Sequence, residues 1–354
     1  MLPSNALARY PSSPMPVGFS HRLLSVLQLT RMALVFTAIA DSFCAVLLWA
    51  QWNAQQAEAS YLDYLSVGRM LAVAIVSIGL YGYGMSLNDI IDRRRDTQIA
   101  SDRPLPSGRI GVLAAHVVCV LLVLAAIVAG AYLARFRSPG ALGFLLLIWT
   151  AALITFYDFA GKYLVAPGLL TLGLIRFFHA TIAAPQLPLL WHPLLLLNHV
   201  AILSTVCYAL EQKRPRLTRL HWWAVLGGLT IVDALCIGLV YWRRQQRLGT
   251  GFVQSLWITP GLLWPAMAIV AFAIVAIGIY RMRVNYRSAG RNLMLAGLLW
   301  LIVYDASFVA GYVGWRAATL LLLLLPVSYL SVQLMRWWAR LVLLSHRPEY
   351  QRAR

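Results

Sequence analysis

The chain has 354 residues, of which 60% are apolar and only 12% charged, and its formal net charge is +18. A mean hydropathy of +0.71 excludes an ordinary soluble domain and points to a polytopic membrane protein. Most of the 30 Lys and Arg sit in short segments between apolar runs, which is the positive-inside pattern and not the footprint of a nucleic-acid binder. Long unbroken runs predict spanning helices instead of barrel strands, at about 23–50, 68–87, 110–133, 140–157, 165–185, 190–210, 221–242, 257–280, 292–313 and 317–338. The first run is too long for a signal-peptide core, so no cleavable leader is expected. Cys44, Cys119, Cys207 and Cys236 all lie in apolar runs without CxxC spacing and read as small buried residues.

Within the first run, Asp41 is a carboxylate in an expensive position and is expected to line a pocket. The second run closes on Leu87-Asn88-Asp89-Ile90-Ile91-Asp92-Arg93-Arg94-Arg95-Asp96, where three of the chain's 12 acids fall within eight positions. If the helix continues through this segment, Asn88, Asp92 and Asp96 recur at i, i+4 and i+8 and present three oxygen ligands on one face. Such a face suits Mg²⁺, a hard cation held by carboxylates and substrate phosphate oxygens. The competing reading is a solvated loop whose acids pair with Arg93 to Arg95. A punctuated return, Arg103-Pro104-Leu105-Pro106-Ser107-Gly108-Arg109, leads to the third run.

Three further polar segments follow. Tyr157-Asp158-Phe159-Ala160-Gly161-Lys162 joins the fourth and fifth runs, Arg176 and His179 lie inside the fifth, and Glu211-Gln212-Lys213-Arg214-Pro215-Arg216 ends the sixth. Only two lysines occur among the 30 basic residues, Lys162 and Lys213, and both fall on the face of the acidic cluster. A compact ammonium neutralises phosphate oxygens as a point charge, so these positions suggest anion binding. His116 and His199 lack partners at ligand spacing and read as hydrogen-bonded helix residues. Asp233 and Asp305 are expected to pair across helices and are left outside the site. On the cluster's side lie 21 basic residues and on the other side 7, with Arg31 and Arg176 inside spans, which predicts cytosolic tails and a cytosolic active face.

The run NDIIDRRRD followed by RPLPSGRI resembles the first Asp-rich motif, NDxxDxxxD, and the RP-rich turn of the UbiA-type membrane prenyltransferases. Tyr157 to Lys162 looks like that family's Tyr and Lys segment, and the likeness extends over about residues 25 to 312. The resemblance implies an all-α integral membrane bundle of nine to ten helices around a central cavity, occupying 23–340 between an N-terminal tail, 1–22, and a basic C-terminal tail, 341–354. It implies transfer of an isoprenyl group from a prenyl diphosphate to a hydrophobic acceptor, often aromatic, with Mg²⁺, in a bacterial inner membrane. Asn88, Asp92 and Asp96 carry over as Mg²⁺-diphosphate ligands and Lys162 as a diphosphate contact. The family's second acidic motif is altered: Ala209 and Lys213 occupy its Asp positions, leaving Glu211.

Two outcomes follow from that departure. Lys213, with Arg214 beside it, meets the diphosphate directly where relatives use a metal, and Arg176 adds a further contact. Alternatively, the protein binds or carries isoprenoid or lipid diphosphates without turnover. Under the transferase reading Asp92, Asp96, Lys162 and Lys213 carry catalysis, Asp41 or Asp158 takes the acceptor's proton, and Tyr157, His179 and Glu211 border the pocket. Tyr81, Tyr83, Phe177 and Phe178 are the further candidates to shield an allylic cation from water.

Overall fold

The computed structural model describes residues 19–345, apart from 102, 137, 188, 249 and 250, so most of the expected tails 1–22 and 341–354 lies outside the described residues. All regular structure among the described residues is helical: α1 Phe19–Leu29, α2 Val35–Ala57, α3 Val67–Ile99, α4 Val112–Leu133, α5 Gly140–Phe159, α6 Val165–Ile182, α7 Trp191–Leu210, α8 Arg219–Leu248, the single turn α9 Phe252–Ser255, α10 Leu263–Arg281, α11 Tyr286–Tyr312, α12 Trp315–Leu322 and α13 Leu324–Ser345. Among the described residues ten segments are long and apolar enough to cross a membrane, α12 and α13 together making the tenth.

Burial sorts these segments into two rings. At least half of the apolar window is buried in Met32–Ala57, Val67–Ile99, Val165–Ile182, Trp191–Leu210 and Tyr286–Tyr312, against 22% or less in the other five. The inner set, α2, α3, α6, α7 and α11, also holds most of the intramembrane polar residues, while the outer helices turn apolar faces away from the protein as a lipid-facing surface requires. α2 is the hub, packing against α3, α6, α11 and α13. Small residues let the inner helices approach closely. A Cβ on Gly173 of α6 would meet the Leu197 carbonyl of α7 at 2.7 Å, and one on Gly79 of α3 would meet the Leu122 carbonyl of α4 at 2.5 Å.

Two boundaries differ from the hydropathy reading. The first apolar run is broken: Thr30 Oγ1 donates back to the Val26 carbonyl, Arg31 adopts the left-handed conformation at φ 47°, and the span restarts near Met32. Arg31 therefore sits at a helix junction, not inside a span. The second run ends at Leu87, yet α3 continues to Ile99, so the whole acidic segment is helical. Arg has a helix propensity close to that of Leu, which offsets the lower one of Asp, and ion pairs to neighbouring segments hold the extension in place.

Candidate active site

Helical continuation gives α3 a polar end with a defined face. Asn88, Asp92 and Asp96 lie one turn apart, and Asp89 is set beside them on the adjoining row. Asp92 is 6% and Asp96 1% exposed, so both acids are buried, unlike those of a solvated loop. They are covered by cations delivered from four directions. Lys162, on the turn after α5, places Nζ 2.8 Å from Asp92 Oδ1 and donates to Asn88 Oδ1 at 3.4 Å. Arg103, in the proline-rich return, donates to Asp96 Oδ2 at 2.6 Å and lies 3.5 Å from Asp89. Arg31 reaches Asp89 at 3.2 Å from the junction of α1 and α2, and Arg95 reaches Asp92 at 3.4 Å.

The loop alternative named only Arg93 to Arg95 as partners of the acids. Of these, Arg95 forms an ion pair, and the shorter contacts come from Lys162, Arg103 and Arg31. Asp158, at the end of α5 and 2% exposed, interacts electrostatically with Lys162 and Asp92, and Tyr157 beside it interacts with Arg31 and Arg95. Four carboxylates and four cations thus converge at one end of the bundle. The arrangement retains unused capacity: Asp96 Oδ1 and Asp158 Oδ1 are buried without a hydrogen-bond partner. A buried unpaired carboxylate oxygen is costly unless a ligand, ion or proton meets it.

The other sequence candidates go elsewhere. Arg176 turns towards α2, where its guanidinium contacts Asp41 closely and donates to the Thr37 carbonyl at 2.7 Å. His179 Nδ1 is 3.7 Å from Asp41. Lys213 pairs with Glu211 at 3.0 Å while 50% exposed, Arg214 is exposed, and no contact described joins either of them to the α3 cluster. Of the aromatic candidates, Tyr81 interacts electrostatically with both Arg31 and Arg176, and so stands between the two polar groups. Tyr83 bonds Thr155 across to α5 at 2.7 Å, Phe177 packs towards α7 and α8, and Phe178 meets Trp149 of α5 edge-on.

Asp41 belongs to a second buried group that the spacing of residues does not disclose. His192 Nε2 lies 2.7 Å from Asp305 Oδ1, both residues 1% exposed or less, and Cys44 Sγ donates to the Asp305 carbonyl at 3.5 Å. Asp305 does pair across helices as expected, and so does Asp233, whose two oxygens each accept from Asn198 at 3.0 Å. His199 bonds the Gly297 carbonyl at 3.0 Å and His116 the Val112 carbonyl at 2.8 Å, as hydrogen-bonded helix residues do. The residues that local reading missed at the main site are Asp89, Arg31 and Arg103. Arg103 has a signal in its place directly before Pro104, close after the acids, and Arg31 has one in its position inside an apolar run, though nothing local points it to Asp89.

No family model and no curated protein sequence matches the chain. Solved structures do. A structure from work on digeranylgeranylglyceryl phosphate synthase in membranes superposes with a TM-score of 0.53 at 16% identity, covering 82% of this chain and 99% of that one. An apo UbiA homologue from Aeropyrum pernix K1 gives 0.48 at 17% identity over 77% and 97% of the two chains. A UbiA homologue from Archaeoglobus fulgidus, bound to GPP and Mg²⁺, gives 0.47 at 13% identity over 80% and 99%. Identities this low speak to architecture alone: with the ten apolar helices among the described residues, the chain is an integral membrane protein whose helical fold is similar to that of the digeranylgeranylglyceryl phosphate synthase structure.

Proposed function

We propose that the protein is an intramembrane prenyltransferase that moves an isoprenyl group from a prenyl diphosphate to a hydrophobic acceptor. The observation that carries this reading is the single face of α3 on which Asn88, Asp92 and Asp96 meet Lys162 and Arg103. The donor set consists only of oxygens, and the unpartnered Asp96 Oδ1 is an open position in it, so the residues fit a hard divalent cation such as Mg²⁺. Bound by Asn88, Asp92 and Asp96, Mg²⁺ would supply neutralisation of the negative charge on the diphosphate.

Lys162, Arg103 and Arg31 now spend their charge on Asp92, Asp96 and Asp89. A diphosphate offers the same three side chains stronger acceptors, and their contacts with it strengthen as charge builds on the leaving oxygen. Asp158, with one free buried oxygen beside Lys162, is the better placed proton acceptor, because Asp41 is 0% exposed and committed to Arg176. Tyr81 and Tyr157 border the same space and shield an allylic cation from water. Lys213 and Arg214 are assigned no part in ionisation. The positive-inside asymmetry supports a cytosolic position for this end of the bundle.

A second reading, an isoprenoid diphosphate binder without turnover, is favoured by one feature, the replacement of the second motif's carboxylates by Ala209 and Lys213. The two readings separate in one experiment. Purified protein in lipid, given geranyl or farnesyl diphosphate, Mg²⁺ and a panel of phenols, quinol precursors and lipid alcohols, is expected to release pyrophosphate with at least one acceptor. Diphosphate binding without release across the panel would establish the carrier instead.

A further inference from the structure

A cavity of about 510 Å³ opens between α7, α8, α10 and α11, away from the acidic end of α3. α8 leans on α6 and α7, whereas α10 leans on α11, and the space between them is walled by apolar side chains such as Leu194, Ile237, Ile269 and Phe308. Its volume falls in the range of roughly 300–1,000 Å³ typical of small-molecule sites. One polar pair interrupts the apolar wall: Asn198 on α7 and Asp233 on α8. A carboxylate inside an apolar span is retained at a cost and marks function by default. The prenyl-transfer reading makes no use of it.

The hydrogen-bond inventory of this wall is one-sided. Asn198 Nδ2 donates to the Leu194 carbonyl at 2.9 Å and to Asp233, which uses its two hydrogens. Trp191, the other lining residue with a donor, spends its indole N–H on the Leu256 carbonyl at 2.9 Å. What remains facing the cavity is acceptor capacity, on the Asp233 carboxylate and on Asn198 Oδ1. A ligand must therefore bring a donor. An ammonium would also have to be stripped of water at this depth, whereas a hydroxyl brings one donor at far lower desolvation cost.

We infer that this lateral cavity binds a hydrophobic alcohol, its chain along the apolar wall and its hydroxyl donated to Asp233. The inference stands apart from the prenyl-transfer reading, because among the described residues no hydrogen bond or ion pair joins the cavity lining to the α3 cluster. The test uses the full chain in lipid nanodiscs and tritiated farnesol, competed with unlabelled farnesol or with farnesyl methyl ether, which keeps the chain and removes only the donor. Farnesol is expected to bind once per chain and the ether about tenfold more weakly, as expected for loss of one hydrogen bond to a charged group. Ala266→Trp, which fills the cavity from α10, is expected to abolish specific binding, and Asp233→Leu, which removes the acceptor, to remove the preference for alcohol over ether. Equal competition by alcohol and ether would overturn the assignment, since bulk lipid filling an apolar gap makes no such distinction. So would farnesol binding that survives Ala266→Trp in a variant that still melts cooperatively, and so would a preference retained in Asp233→Leu.

Discussion

Lys162→Met tests the ion-pair network at the end of α3 more sharply than any single removal of an acid. The ammonium is 9% exposed, bridges Asp92 at 2.8 Å and Asn88 at 3.4 Å, and a methionine keeps much of its volume while deleting the charge. Asp92 would then be left 6% exposed with only Arg95 at 3.4 Å, a side chain itself 59% exposed and so screened by solvent. Removing one member of a buried pair costs about 3–5 kcal/mol, and the residual Arg95 contact places this case at the low end, about 3 kcal/mol. Most of that cost is the stranded carboxylate. Asp92→Asn in the Lys162→Met background should therefore recover much of the loss, giving a coupling energy of about 2 kcal/mol in the double-mutant cycle. The assay is equilibrium unfolding of the purified protein in mixed micelles for the wild type, both single variants and the double variant. Additive effects within about 0.5 kcal/mol would show that the two side chains do not share a buried contact, and the geometry proposed for the site would fail with it.

Three other outcomes follow from the same structure. Arg176→Met strands Asp41, which is 0% exposed, and should destabilise by about 3–5 kcal/mol in the same unfolding assay while leaving diphosphate affinity near the wild-type value; a selective loss of affinity would return Arg176 to the diphosphate site. Gly173→Val drives a Cβ to 2.7 Å from the Leu197 carbonyl and should cost about 1–3 kcal/mol or prevent assembly of α6 on α7, read as loss of monodisperse protein on size exclusion. With the native cysteines replaced, Ala57→Cys should react with an impermeant maleimide on intact cells and Ser101→Cys only after permeabilisation; the reverse pattern contradicts the cytosolic placement of the acidic end.

The spans were legible because hydrophobic length is a local property of sequence, and each of the ten apolar runs finds a counterpart among the helices. The periodic face of Asn88, Asp92 and Asp96 was legible for a similar reason, since i and i+4 spacing fixes a face once helix is assumed. Local patterns do not encode which distant cation meets which acid. Arg31 reads as an intramembrane arginine until a left-handed residue breaks the run and turns it to Asp89. Arg176 reads as a phosphate ligand until α6 packs on α2 and gives it Asp41. Lys213 reads as an anion ligand because it is one of two lysines, yet the end of α7 packs Glu211 against Gly290 of α11, and that carboxylate pairs with it. The pair of His192 and Asp305 joins residues 113 positions apart, and nothing in the spacing of either points to the other.

The most direct measurement of the central claim is Mn²⁺ binding followed by electron paramagnetic resonance, with Mn²⁺ replacing Mg²⁺ at an oxygen-ligand site. At least one tightly bound Mn²⁺ per chain is expected when geranyl diphosphate is present, with affinity reduced tenfold or more in Asp92→Asn and Asp96→Asn and unchanged in Lys213→Ala. Binding that is indifferent to both Asp variants, or that is lost only with Lys213→Ala, would contradict the claim.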